Sequence, residues 1–182
     1  MAVATVTTST QERQGAVKFK GSPLTLLGPE MKVGAAAPEF HVVDQALSPV
    51  SWSSLKGNAW LVSVVPSLDT PICDMQTRRF NQEAAKLGNI GVLTVSMDLP
   101  FAQKRWCGAA GIDKVKVVSD YQDASFGKAY GVLIKELRLL IRAIFLVDRN
   151  GTVRYVEYVP EVTSHPNYDA ALAAAGQLYT TS

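Results

Sequence analysis

Cys73 is one of two cysteines in this chain of 182 residues, and its neighbours are those of a nucleophile. It closes the segment Pro66-Ser67-Leu68-Asp69-Thr70-Pro71-Ile72-Cys73, which lies between an apolar run, Trp60 to Val65, and a helical pattern. In α/β folds, ligand-binding and catalytic groups collect at such strand-to-helix turns. Thr70 is a good helix N-cap. Pro71 suits the first helical position because it lacks only a donor that would be unpaired there. Cys73 then falls at the third helical position. The free N–H groups and positive dipole end at that point favour a thiolate, the reactive form of cysteine. Asp69 and Asp74 work against this, so a cation is required. Arg142, directly before the apolar run Ala143 to Val147, is the candidate. A charge at the edge of a core needs a partner, and a thiolate at the end of a neighbouring strand would be one.

Each of these residues also has a plainer reading. A cysteine after a strand is equally a small buried apolar residue. A strand-end arginine more often reaches solvent. Cys107, beside Trp106, taken alone reads as a buried helical thiol. The two histidines, His41 and His165, stand far apart. No metal-ligand spacing appears, and His165, next to Pro166, reads as a surface loop residue rather than the base of a cysteine hydrolase.

The elements that must position Cys73 are legible. Trp60 to Val65, Val92 to Met97 and Ala143 to Val147 are apolar and β-branched, as expected of strands buried on both faces in the centre of a sheet. Between the first two, Ile72, Met75, Phe80, Ala84 and Leu87 share one stripe at helical spacing. After the second, Pro100 to Ala110 reads as a shorter helix entered through Asp98 and Pro100. The pattern implies a βαβ unit. Asp148-Arg149-Asn150-Gly151 signals a hairpin that pairs Thr152 to Val159 with the preceding strand. Asn167 to Leu178 reads as a closing helix. Lys18 to Leu27 reads as two strands around a Gly21-Ser22-Pro23 turn, and Glu39 to Val43 as a short strand. The expected architecture is α/β and thioredoxin-like: a central mixed sheet flanked by helices, with an N-terminal β-hairpin. Residues 1–16 read as a disordered polar extension, with 17–182 as one domain.

Composition narrows the function classes. The formal charge of +2 gives no case for nucleic acid or an anionic membrane as partner. No apolar run approaches the ~20 residues of a membrane span. The first fifteen residues lack the pattern of a secretory signal, so the expected compartment is cytoplasmic. Two cysteines are too few for a secreted disulfide scaffold, and in a reducing compartment such a pair is more often redox-active, catalytic or metal-binding than structural.

Pro66-x-x-x-Thr70-x-x-Cys73 resembles the active-site motif of the peroxiredoxins. Arg78-Arg79-Phe80-Asn81 and the block from Ser96-Met97-Asp98-Leu99-Pro100-Phe101 through Trp106-Cys107-Gly108-Ala109 resemble its thiol peroxidase branch, the atypical two-cysteine peroxiredoxins. The resemblance runs from about Val17 to Gln177. It implies that Cys73 is the peroxidatic nucleophile and that Thr70 hydrogen-bonds the peroxide oxygen and the thiolate. Pro66 shapes and shields the pocket, Arg142 pairs with the thiolate and polarises the peroxide, and Cys107 is the resolving cysteine. It further implies a hydroperoxide substrate, thioredoxin as reductant, a homodimer, and no metal or organic cofactor. Pro71 and Asp74 depart from the residues common at those positions. The resolving disulfide needs Cα atoms within about 7 Å. A helix start and the last turns of the next helix are unsuited to that, so local unwinding of both is expected, helped at the second by Gly108 and Gly111. The apolar region 130–146 suggests a pocket edge or dimer face.

Other classes remain. A dithiol carrier would carry Cys-x-x-Cys, whereas Asp74-Met75-Gln76 follows Cys73. A non-catalytic peroxide sensor or relay would use the same two cysteines, and a module with no redox role would be indifferent to Cys73→Ser.

Overall fold

Alternating side chains on the three apolar runs build the two faces of a sheet. The computed structural model describes residues 10–180. Its strands are β1 (Glu12–Phe19), β2 (Ser22–Leu27), β3 (His41–Asp44), β4 (Pro49–Ser51), β5 (Ala59–Val64), β6 (Ile90–Ser96), β7 (Lys116–Ser119), β8 (Leu133–Ile134), β9 (Ala143–Val147) and β10 (Val153–Tyr158). Its helices are α1 (Trp52–Leu55), α2 (Pro71–Ala84), α3 (Pro100–Ala110), α4 (Ser125–Ala129) and α5 (Tyr168–Thr180). Seven strands form one mixed sheet in the order β10-β9-β5-β6-β7-β3-β4, in which β5–β6 and β6–β7 are parallel. Strand β9 runs antiparallel to β5 and carries the hairpin partner β10. This is the thioredoxin-like plan, and the expected βαβ unit is β5-α2-β6.

Val62, Val64, Leu93, Val95, Phe145 and Val147 point to one face, where they meet Phe40, Phe126, Tyr130, Leu133 and Leu140. Leu61, Val92, Ile144 and Leu146 point to the other, under Phe80 of α2 and Ala171 and Ala175 of α5. A third, smaller cluster joins Val65, Leu68, Cys73, Cys107 and Val117. It lies where α2 and α3 pack beside the ends of the parallel strands, and it is where the chemistry sits.

Four expectations need correction. First, β1 begins at Glu12, inside the segment read as an extension; residues 1–9 lie outside the described residues. The strand is mostly exposed, so no alternation betrays it. It is held by Arg13, which donates to the carbonyls of Gly28 and Gly131, and by Gly28 N–H to Gln11 O. Second, the buried face of α2 follows the apolar stripe only in part. Phe80 and Leu87 are buried as expected, but Met75 is exposed, and Cys73, Gln76 and Thr77 are buried beside Phe80. Third, the region 130–146 is mostly interior: only 135–138 are exposed, with Leu137 the one large apolar side chain among them. Tyr130, Val132, Leu133, Ile134, Leu140 and Ile141 are fully buried under the sheet. Fourth, Gly111 does not leave the end of α3 loose. It adopts the left-handed conformation of a formed cap, with Ile112 N–H donating to Cys107 O.

The sequence pattern does not predict strands β4, β7 and β8 or helices α1 and α4. All are too short to show a period. Helix α4 depends on Asp120, whose carboxylate accepts from Phe126 N at 3.0 Å and Gly127 N at 2.8 Å. Burial outweighs those bonds and pushes the Asp120 pKa up to about 6. An acid whose folded value lies above its unfolded value binds more protons when folded, so stability falls as pH rises through the window from about 4 to 6. The expected loss from this group between pH 4.5 and 7 is about 2 kcal/mol. Urea unfolding at pH 4.5 and 7 should show it in the native chain, and Asp120→Asn should flatten it. An unchanged slope in that variant would exonerate Asp120.

Candidate active site

Cys73 is the third residue of α2, as the Thr70-Pro71 pair implies. Thr70 is the N-cap by backbone geometry and Pro71 is the first helical residue. The cysteine is wholly buried. Pro66, also buried, is separated from the end of β5 by one residue, and Leu68 covers the sulfur's cluster from the turn. Outside Leu68 lies a cleft of about 420 Å³ lined by Asp69, Thr70, Pro71, Asp74, Met75 and Trp106. The larger cavity, about 620 Å³, lies between the β9–β10 hairpin and α5 and contains none of the candidate residues.

Arg142 comes to Cys73 from the start of β9. Its Nη2 lies 3.4 Å from Cys73 Sγ and 3.2 Å from Val162 O, and its Nη1 donates to Gln76 Oε1 at 2.7 Å. The side chain is 2% exposed and makes no ion pair with a carboxylate among the described residues. The reading of a solvent-seeking arginine therefore fails. The guanidinium is a buried cation whose one ionisable neighbour within bonding reach is the thiol.

The two carboxylates beside the cysteine are occupied elsewhere. Asp74 accepts from Arg78 Nε at 2.8 Å, a bond that holds the Arg78 guanidinium more firmly charged. Asp69 faces Arg105 at 3.7 Å. Both pairs are exposed, so each adds little stability. Their effect here is to draw the negative charge away from the sulfur.

The Thr70 hydroxyl donates to Ser67 O at 3.0 Å rather than capping the helix. A hydroxyl has one proton, so in this pose it can accept from a peroxide O–H but has none left for the thiolate. The dual role implied by resemblance requires the hydroxyl to rotate.

Gln76 and Thr77 escaped the sequence reading, although they lie three and four residues after Cys73 and so share its helix face. Gln76 Nε2 donates to Ser63 Oγ at 2.8 Å while its Oε1 holds Arg142. Thr77 Oγ1 donates to Cys73 O at 2.9 Å. Polar residues on a buried helical face were the available signal.

Cys107 lies in α3, 6% exposed, in the same apolar cluster as Cys73, and both thiols are free. Gln45 Nε2 lies 3.2 Å from its Sγ. Burial pushes the Cys107 thiol pKa up, and the Gln45 bond only partly offsets this. The helices that carry the cysteines are tied together at the surface. Arg78 of α2 donates to Ala110 O at the end of α3 and lies over the Trp106 ring. Among the described residues no cluster of three His, Cys, Asp or Glu side chains is placed to hold a metal ion, and no helix is long and apolar enough to cross a membrane.

The chain is similar to known proteins over most of its length. A family model described as Redoxin matches residues 32–172. A thiol peroxidase of Bacillus subtilis (strain 168) is 57% identical over 162 residues, which is 89% of this chain and 97% of that protein. A thiol peroxidase of Halalkalibacterium halodurans is 59% identical over 159 residues, 87% of this chain and 96% of that one. Among solved structures, a peroxiredoxin-like protein from Aquifex aeolicus superposes with a TM-score of 0.84 at 43% identity, covering 91% of this chain and 98% of that chain.

Proposed function

The chain belongs to the Redoxin family, in its thiol peroxidase branch, and from that membership we propose that Cys73 reduces hydroperoxides and that Cys107 resolves the product. The observation that carries the reading is the approach of the buried, carboxylate-free Arg142 to Cys73 Sγ at 3.4 Å. A thiolate there gains a counter-charge, and a peroxide oxygen leaving the sulfur would meet the same donor.

The Cys73 thiolate attacks one peroxide oxygen. The S–O bond forms as the O–O bond breaks, and the departing oxyanion takes a proton to leave as water or an alcohol. Arg142 and the N–H groups of the helix start stabilise the charge that shifts onto the oxygens, and the Thr70 hydroxyl joins them only when it turns away from Ser67 O. Pro66 and Leu68 keep bulk water from the sulfur. Cys73 is then a sulfenic acid. The Cys107 thiolate attacks its sulfur, hydroxide leaves and is protonated to water, and a Cys73–Cys107 disulfide remains. An external dithiol, of which thioredoxin is the expected form, reopens it by exchange. The cytoplasmic compartment and the homodimer belong to the same reading. Both helix ends must open for the sulfurs to meet, and the Arg78 tie to Ala110 must break.

One equivalent of hydroperoxide should remove both thiols of the reduced chain and leave a Cys73–Cys107 peptide. In Cys73→Ser no thiol should be lost faster than free cysteine oxidises. A stable sulfenic acid on Cys73 with Cys107 still free would instead assign resolution to an outside thiol. Sustained turnover with a thioredoxin system separates the enzyme from a peroxide sensor built on the same pair.

A further inference from the structure

Of the stretch Ser96 to Ala109, the chemistry proposed above uses Cys107 alone. Asp98 is the polar centre of that stretch. Its Oδ1 accepts from Ser67 Oγ at 2.7 Å, and its Oδ2 accepts from Leu68 N at 2.8 Å and Ser96 Oγ at 2.7 Å. Ser96 in turn accepts from Gln103 Nε2 at 3.0 Å, which also donates to Val118 O at 2.8 Å. The Ser119 hydroxyl donates to the backbone carbonyl of Asp98. The carboxylate therefore takes hold of the turn leaving β5, while Ser96 of β6 holds the carboxylate, Gln103 of α3 holds Ser96, and Ser119 of β7 holds the Asp98 backbone. Asp98 has no counter-charge to serve: it makes no ion pair among the described residues.

The turn it holds is the one that ends in Thr70. The peptide unit between Ser67 and Leu68 is planar, so its N–H and its C=O point in fixed, opposed directions. Asp98 takes the N–H. The C=O receives Thr70 Oγ1 at 3.0 Å and Thr70 N at 3.2 Å. Holding one side of this plane therefore sets the direction of the carbonyl that orients the Thr70 hydroxyl. It also sets the N-cap from which α2 and Cys73 start. We propose that Asp98 is a positioning residue for peroxide reduction: through the Ser67–Leu68 peptide it aims Thr70 and keeps the helix start in register with Arg142.

The side-chain type fits this role. An ionised carboxylate offers only acceptors, enough for three donors at once. An amide offers one acceptor oxygen and two N–H groups, so Asp98→Asn can keep the Leu68 and Ser96 bonds only as weaker neutral ones and must turn the Ser67 hydroxyl from donor to acceptor, loosening the hold on the turn.

The proposal rests on Cys73 as the nucleophile, and its test carries its own control. Asp98→Asn, Ser67→Ala and the double variant are each reduced, and two rates at Cys73 are measured: oxidation by hydroperoxide and alkylation by iodoacetamide. Alkylation needs an accessible thiolate but no peroxide geometry. The expected result is a fall in the peroxide rate of about 10–100-fold relative to the alkylation rate in Asp98→Asn. Ser67→Ala should lose less, because the Leu68 bond survives, and the double variant should be no worse than Asp98→Asn. Equal changes in both rates, or none, would make Asp98 a fold residue and overturn the proposal. If Asp98→Asn does not fold, Ser67→Ala decides alone: a selective, several-fold loss supports the role, and an unchanged ratio ends it. A wild-type Cys73 that fails to react with peroxide would overturn the peroxidase reading instead.

Discussion

Replacing Arg142 with methionine should lower the second-order rate of Cys73 oxidation by peroxide by about 10²–10³-fold, the usual loss when one preorganised donor leaves an oxyanion site. The case rests on what else could do its work. The carboxylates at the helix start, Asp69 and Asp74, are paired outward with Arg105 and Arg78, so they neither help nor replace the cation. The Thr70 hydroxyl has committed its proton to Ser67. The helix N–H groups remain, and they carry partial charge only. Folding should survive. Methionine leaves Gln76 Oε1 and Val162 O without their donor, each worth about 1–3 kcal/mol, yet it also removes a buried cation that no carboxylate pairs with, which is costly to bury. The two effects oppose, and urea unfolding should place the variant within about 2 kcal/mol of the native chain. Arg142→Lys should recover little, since one ammonium cannot hold Gln76, Val162 and the sulfur with the geometry of a fork. Stopped-flow oxidation of the reduced proteins measures the effect. A loss under tenfold in Arg142→Met would mean that the helix start alone activates the sulfur.

The same site shows how far a sequence reaches. The three central strands are readable because burial on both faces leaves mostly apolar, β-branched residues, and β9 has its expected bounds, Ala143 to Val147. Cys73 at the third helical position was readable because Thr70-Pro71 is local chemistry, and α3 was readable from Pro100 onward for the same reason. What could not be read depends on long-range partners. Met75 sits on the apolar stripe of α2 by spacing, but Gln76 faces inward because Ser63 and Arg142 wait there, 13 and 66 residues away. Asp98 looked like the entry to α3. It turns back instead to Ser67, 31 residues earlier, and leaves α3 with no side-chain cap. The strand from Glu12 follows the same rule: Arg13 is polar and unpatterned until Gly131, 118 residues on, provides its acceptor. Periodicity reports burial of apolar surface, and it says nothing about a buried polar group whose partner lies on another element.

Cys107→Ser should separate the two halves of the cycle. The first peroxide should oxidise Cys73 at close to the native rate, because Cys107 touches neither Arg142 nor Thr70 among the described contacts. The second turnover should then fall to the background rate of the reductant, since the sulfenic acid has no internal thiol to meet. Excess peroxide should carry Cys73 on to sulfinic and sulfonic acids, which mass spectrometry of the 71–80 region would read. The packed state already separates the roles. Burial pushes the Cys107 thiol up, so while α3 is formed the residue stays protonated and unreactive, and peroxide finds one nucleophile rather than two. Opening α3 removes that burial, lets the thiolate form and frees the sulfur to move. The same step must break the bond from Arg78 to Ala110 O and the cap in which Ile112 N–H meets Cys107 O. Disulfide formation after a single peroxide pulse should therefore speed up as pH rises toward the ordinary range for cysteine. It should also speed up in Arg78→Ala, where α3 opens more easily, while the oxidation of Cys73 that precedes it changes less. Resolution that ignored both pH and Arg78 would mean that the sulfurs meet without opening α3, and the separation of roles by burial would have to be given up.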